Sequence, residues 1–373
     1  VRKLSRPAAV TLAAATIISL GTACSPPEKK AEASGSKAAT ATSAADLGGL
    51  DALVAEAKKE GALNVIALPP DWANYGEIIK AFGDKYGIKV NSAQPDGSSQ
   101  DEINAATQLK GQDSAPDVFD LGMSVATANT AMFAPYKVST FDEIPADLKE
   151  ANGAYVNDYG GYMSIGYDSA KVPAPTSVAD LLKAEYKGKV ALNGDPTQAG
   201  SAFGGVQMAS IANGGTAEDI TKGVDFFGQL KKAGNFLPVD PSPTTIESGQ
   251  TPVVFDWDYL NAAQAKKTPT WKVFVPSNAV LGSYYTQAIN SDAPHPAAAR
   301  LWQEFLYSDE GQNLWLSGGA RPVRADAMTK AGTIDAATAA ALPKVEGTPV
   351  IPTEAQSTKA KEYLTANWAK AIG

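Results

Sequence analysis

Leu63-Asn64-Val65-Ile66-Ala67-Leu68 runs straight into Pro69-Pro70-Asp71-Trp72-Ala73-Asn74-Tyr75-Gly76 and then into a helical pattern over 77–86, and this order of strand, loop and helix sets the fold. The first six residues read as a short buried strand and the Pro- and Gly-punctuated stretch as a loop. Ile78, Ile79, Ala81 and Phe82 then form one inward helical stripe. Upstream, Leu50, Leu53, Val54 and Ala57 recur at helical spacing until Gly61 stops them. Downstream the pattern predicts a strand over 88–92, a helix over 101–108 and a strand over 117–121 that ends in Gly122-Met123-Ser124. Repeated units of this kind imply an α/β protein with mostly parallel sheets flanked by helices. Ligands of such sheets gather at the carboxyl ends of the strands. That rule makes Asp71, Trp72, Tyr75 and Ser124 candidate ligand-binding residues, although an aromatic after a strand packs against its own helix as readily.

A second series starts with a strand over 163–167 suited to carry the chain from one lobe into another. A helix over 177–184 and a strand over 188–192 lead into Asn193-Gly194-Asp195-Pro196-Thr197-Gln198-Ala199-Gly200-Ser201, which opens a helix over 202–211. The unpaired N–H groups at such a helix start suit an oxygen-bearing anion, so Asp195 and Ser201 join the candidates; plain capping by Ser201 is the alternative. A buried strand then enters Asp256-Trp257-Asp258-Tyr259. Two carboxylates bracketing an aromatic can neutralise an ammonium group while the ring faces take its methylenes. The competing reading has one aspartate capping a helix over 260–266 and the rings in the core. Of Tyr284-Tyr285 on the next strand, alternation turns one ring, taken as Tyr285, toward the cleft. The helix over 296–307 is structural, and nothing repeats at a fixed period.

Composition narrows the function. The formal charge is −8; residues 1–23 hold three basic and no acidic residues, so without them it becomes −11. Nucleic acid is thereby excluded as an expected partner, because it needs a basic footprint. The chain has one cysteine, Cys24, and one histidine, His295. A triad or thiol site would have to use His295, which reads instead as a helix-entry residue in Ala293-Pro294-His295-Pro296. No zinc spacing, P-loop or nucleophile elbow occurs, so neither a metal nor a cofactor is expected. A carboxylate-dependent hydrolase stays open on counting alone, since 40 residues are acidic.

Arg2, Lys3 and Arg6 precede an apolar run over 8–20, too short to span a bilayer, which needs roughly 20 residues. Leu20-Gly21-Thr22-Ala23-Cys24 resembles the lipobox of bacterial lipoproteins, with the large aliphatic residue one position early. Residues 1–23 are thus expected to be a lipoprotein signal peptide and Cys24 the lipidation site, with an ordinary secretory signal as the alternative. Residues 24–47, poor in large apolar side chains, read as a flexible tether holding the body outside the cell membrane.

Three stretches in order carry a family resemblance: Pro175-Thr176-Ser177-Val178-Ala179-Asp180-Leu181-Leu182 running to Tyr186-Lys187-Gly188-Lys189-Val190; Ser248-Gly249-Gln250-Thr251-Pro252-Val253-Val254; and Ala293-Pro294-His295-Pro296-Ala297-Ala298-Ala299 leading to Ser308-Asp309-Glu310-Gly311-Gln312 and Arg321-Pro322-Val323-Arg324. Over about 48–345 the chain resembles the extracellular solute-binding proteins of ABC importers, in the class that includes ferric-iron, polyamine, thiamine and aminoethylphosphonate binders. The resemblance implies a two-lobe periplasmic-binding-protein-like fold (type II) with crossover strands near Tyr162 and Tyr285. Lobe 1 is expected over 48–160 plus 281–320, and lobe 2 over 161–280 plus 321–373. It implies a monomeric, non-enzymatic protein that closes on a small solute and docks on an ABC permease with a cytoplasmic ATPase. The adjacent tyrosines of ferric members map to 256–259, where this chain differs, and the acidic residue of polyamine members is missing beside Tyr284-Tyr285. A compact organic cation or zwitterion, such as an aminoalkylphosphonate, is therefore expected first, a phosphorylated or other anionic organic second and a metal last. A sensor without a permease is the remaining alternative.

Overall fold

The computed structural model describes residues 37–373; the leader and Cys24 lie outside the described residues. Helices α1 (Lys37–Thr40) and α2 (Leu50–Glu60) precede β1 (Ala62–Ile66), α3 (Tyr75–Tyr86) and β2 (Lys89–Ala93). There follow α4 (Ser99–Gln108), β3 (Val118–Gly122), α5 (Met123–Ala128) and the long β4 (Tyr155–Asp168). The next run is β5 (Val190–Leu192), α6 (Gly200–Ala212), α7 (Thr221–Ala233), α8 (Pro243–Glu247), β6 (Val253–Trp257), α9 (Asp258–Lys267) and β7 (Trp271–Phe274). The chain ends with β8 (Gly282–Ile289), α10 (Pro296–Leu306), α11 (Asp309–Ser317), β9 (Arg321–Pro322), α12 (Ala325–Ala331), α13 (Ala336–Ala340) and α14 (Glu354–Ile372).

Strand β4 organises the molecule. Its first half pairs with β8, which in turn pairs with β3; its second half pairs with β6 and β7, and β6 pairs with β5. One strand thus belongs to two sheet regions and crosses between them near Tyr162. Glycines make the crossing sterically possible: a Cβ on Gly160 would lie 2.5 Å from the Ser283 carbonyl oxygen, and one on Gly161 would lie 2.5 Å from an Asp258 carboxylate oxygen. The register also shifts between Asn157 and Gly160, and this irregularity bends the strand at the junction.

Three expectations need correction. The sheets are mixed: β1–β2 and β5–β6 are parallel, but every pairing of β4 is antiparallel. Repeated strand–helix units set the parallel pairs, whereas crossover strands return through the junction in the opposite sense. The segment over 177–184 forms a short 3-10 turn, Val178–Leu182, held by Ser177 accepting from the Asp180 N–H. The expectation of a tether over 24–47 does not hold for residues 37–47, which are packed: Ala38 and Ala41 are buried, and Arg300 of α10 donates to the Ala39 and Ala41 carbonyls at 2.9 and 2.8 Å. Alanine carries too little apolar area to signal that docking by itself; the buried guanidinium supplies it.

His295 stands at the entry of α10, as the sequence suggests. Its N–H donates to Asp117 Oδ1 at 2.7 Å, and its Nδ1 lies 2.9 Å from Oδ2. The start of α10 is capped from a distance by Glu60, which accepts from the Ala297 and Ala298 N–H groups. No described helix is long and apolar enough to cross a membrane.

Candidate functional site

A cleft of about 550 Å³ opens between the two sheet regions. One wall comes from the loop after β1 with Asp71 and Trp72, the start of α4 with Ser99 and Glu102, and Asp120 on β3. The facing wall comes from Asn193, the start of α6 at Gly200 and Ser201, Asp256 on β6, and α9. Both walls are carboxyl ends of strands and the loops that follow them. The backbone is strained there: Ala67, just past β1, has φ +55°, and Gln94, just past β2, has φ +42°.

Charge on the walls is one-sided. Asp71, Asp96, Glu102, Asp120, Asp240 and Asp256 line the cleft, against the single cationic side chain of Lys267. Glu102, Asp120 and Asp256 are also buried. Glu102 Oε2 accepts from the Asp120 N–H at 2.9 Å, and Asp120 Oδ2 accepts from the Tyr159 hydroxyl at 3.1 Å. That hydroxyl in turn accepts from Trp72 Nε1 at 2.8 Å, which fixes the indole at the cleft wall. Across the cleft, Asp256 accepts from Asn193 Nδ2 at 2.9 Å and from the Trp257 N–H at 2.8 Å.

Burial raises Asp120 to about 7 against the hydrogen bonds that favour its charged form, and it raises Asp256 likewise to about 7. Glu102 is pushed well above the carboxylate range, first by burial and then by the charge of Asp120. Behind them Asp158, which accepts from Gln287 Nε2 at 3.0 Å, is also raised by burial and by Asp120. Empty, these acids favour protons; a bound cation would favour their ionised forms. Among the described residues, no group of three or more His, Cys, Asp or Glu side chains is arranged to hold a metal ion.

The expected site residues separate. Asp71, Trp72, Ser201, Asp256 and Tyr285 line the cleft. The Ser201 hydroxyl donates to the Asn193 carbonyl at 2.9 Å and does not cap its helix, whose N-cap is Ala199. Ser124 and Trp257 line a second chamber of about 300 Å³ that shares Gly200 and Tyr285 with the first. Four candidates face elsewhere. Tyr75 is buried edge-on to Trp315 at 4.8 Å, because the helix begins at Tyr75 and turns that ring into the core. Asp195 is exposed and closes its own turn onto the Thr197 N–H and hydroxyl. Asp258 is buried against Arg321 and the Tyr162 N–H. Tyr259 is buried, stacked on Trp257 and edge-on to Trp72. Glu102 and Asp120 escaped the sequence reading, which saw only helix and strand around them. The weak signal was position: Glu102 stands in the first turn of the helix after β2, and Asp120 is the middle residue of β3.

Comparisons with known proteins bear on this cleft. The profile of a family described as bacterial extracellular solute-binding protein matches residues 117–344. No curated protein matches the chain. Among solved structures, iron-bound HitA from Pseudomonas aeruginosa is similar at 21% identity, with 84% of this chain and 99% of that one covered and a TM-score of 0.62. AfuA from Actinobacillus pleuropneumoniae, with exogenous fructose-6-phosphate bound, is similar at 16% identity, covering 83% and 98% with a TM-score of 0.62. The spermidine/putrescine substrate-binding protein PotD from Streptococcus pneumoniae, in complex with calcium and HEPES, is similar at 15% identity, covering 84% and 99% with a TM-score of 0.57. At these identities the likenesses establish the periplasmic-binding-protein fold. The profile spans more than half of the chain, and the chain therefore belongs to the bacterial extracellular solute-binding protein family, whose members bind solutes and are not enzymes.

Proposed function

We propose that this protein captures a small organic cation or zwitterion between two lobes and delivers it to an ABC permease, anchored to the cell membrane by a lipid at Cys24. The observation that carries the ligand class is the imbalance of six carboxylates against one ammonium group along the cleft. Three of those carboxylates are buried, where an uncompensated charge is costly and a complementary one is strongly favoured. Trp72 and Tyr285 add ring surface for the methylenes next to a cationic centre. The start of α6 on the facing wall suits a small anionic end, which keeps an aminoalkylphosphonate within the class.

The lobe division is part of the proposal, with one change from the sequence expectation. Residues 321–340 go with the first lobe, because β9 pairs with Tyr159 and Gly160 and α13 packs on α11. A thermal-shift screen of the purified chain against amines, amino acids, aminophosphonates, sugar phosphates and ferric ion tests the ligand class. Amines or aminophosphonates should raise the melting temperature with concentration. A response confined to sugar phosphates or iron would refute the reading.

A further inference from the structure

We infer that the cationic group of the solute carries at least two N–H donors, as a primary or secondary amine or an amidinium does, and that it joins the acids of the two cleft walls by direct hydrogen bonds, so that a fully methylated ammonium is rejected. The inference rests on the cation reading of the cleft and adds which cations the cleft takes.

Acceptors stand on both walls. Glu102 on the first wall gives Oε2 to the Asp120 N–H, and its Oε1 makes no hydrogen bond among the described residues. On the facing wall Asp256 is held by neutral donors alone, and Gln264 of α9 spends its Nε2 on the Thr268 hydroxyl at 2.8 Å and leaves its Oε1 unbonded. Burial raises the Tyr285 hydroxyl first, and the charges of Asp120 and Asp256 both add to it, so the two walls bear on one region of the cleft. The donors of the walls are already spent: Trp72 Nε1 on Tyr159, Asn193 Nδ2 on Asp256 and the Ser201 hydroxyl on the Asn193 carbonyl. Carboxylate oxygens left without a protein donor take one from the solute or from water.

A quaternary ammonium brings charge without a donor and is held by ring faces that converge on it. Trp72 and Tyr285, the aromatic side chains on the cleft lining, form no such cage. Tyr285 is stacked on Tyr159 with centroids 5.5 Å apart, which covers one of its faces. Trp72 meets Tyr285 edge-on at 5.7 Å and Tyr259 edge-on at 6.1 Å. The rings pack on one another, and the surface they leave flanks methylenes without enclosing a charge. Selectivity then follows from the count of N–H groups. A primary or secondary ammonium has the two donors that joining two walls requires, a tertiary one satisfies a single wall, and a quaternary one satisfies neither.

The test is calorimetry of the purified chain with aminohexanol and its N-ethyl, N,N-dimethyl and N,N,N-trimethyl forms. The N-ethyl and N,N-dimethyl compounds are isomers of equal size and charge that differ by one N–H donor. The N-ethyl form should bind about ten- to hundredfold more tightly than its isomer, the worth of one charge-assisted hydrogen bond, and the trimethyl form should bind more weakly still. Asp256→Asn and Glu102→Gln each replace an acceptor on one wall with an amide, and each should bring the two isomers level, with circular dichroism confirming the fold. Isomers of equal affinity in the wild type, a trimethyl form that binds as tightly as the N-ethyl form, or a difference that survives both variants overturns the inference while the cation reading stands. Failure of every amine to bind refutes that reading and the inference with it.

Discussion

Cation binding in this cleft should expel protons. Asp120 and Asp256 each stand near 7 in the empty protein because burial disfavours their charged forms, and an ammonium group between them reverses that preference. Each acid that is protonated before binding must then lose its proton. The logarithm of the affinity should therefore rise by about one per pH unit for each such group below about pH 7. Between about pH 5.5 and 7, with the slope falling to one half at pH 7, this amounts to about 16-fold for Asp120 alone and about 270-fold if Asp256 titrates with it. Calorimetry of aminohexanol in buffers of differing ionisation enthalpy counts the released protons directly, and Asp120→Asn should lower the pH slope by one. The same acids set a pH trend for the empty fold. Their folded values lie above the unfolded ones, so the native state keeps protons that the unfolded state sheds, and stability falls as pH rises from about 4 to about 7. An affinity that is flat or weakens from pH 5.5 to 8, where each acid supplies about 1.5 log units, would refute the reasoning.

Three further outcomes are expected. Arg321→Ala leaves the buried Asp258 carboxylate unpaired and should cost about 3–5 kcal/mol in denaturant unfolding, whereas pairing it with Asp258→Leu should recover part of that loss. Trp72→Phe removes the hydrogen bond to Tyr159 and should weaken amine binding by about tenfold, with loss of any ligand-induced change in tryptophan emission that originates at this wall. Arg300→Ala withdraws the donors that hold the Ala39 and Ala41 carbonyls, and hydrogen exchange should then show lost protection confined to residues 37–47 and the start of α10.

The fold was legible where the code is local. The stripe of Ile78, Ile79, Ala81 and Phe82 and the apolar strand around Val65 signal α3 and β1 through periodicity alone; Ile78 and Phe82 are buried, and Ile79 and Ala81 are half-buried. The cleft wall was legible by rule at Trp72 and Asp256, which lie after or near the ends of strands and line it. It was illegible for Asp258, two residues further on, because its partner Arg321 lies far away in sequence, and only the folded junction shows that the carboxylate is consumed structurally. Tyr75 misled for a related reason. Helix α3 starts two residues earlier than the pattern predicts, and that advance rotates the ring from the loop into the core. Glu102 looked like any acid in the first turn of a helix, and its burial depends on a strand brought beside it by tertiary packing.

The contrast between Asp258 and Asp120 gives the strongest reason to regard the cleft as unfinished without a solute. Two buried acids outside the cleft carry a counter-charge, Arg321 for Asp258 and His295 for Asp117, whereas Asp120 and Asp256 have neutral donors alone. No ion pair among the described residues reaches Glu102, Asp120 or Asp256. The shift of Asp120 from 3.8 to about 7 means that holding it ionised in the empty cleft costs about 4 kcal/mol. A fold with a marginal net stability does not gain by carrying such a cost for packing alone, since a leucine or an asparagine would fill the same volume more cheaply. What the acid supplies is a differential: the empty cleft holds protons, and an entering ammonium group trades them for an ion pair with a buried carboxylate. Asp120→Asn should therefore raise the melting temperature of the empty protein at about pH 8 and abolish its rise on adding an amine. If the variant is instead less stable than wild type at that pH, the acid is structural, and the charge imbalance of the cleft says nothing about its ligand.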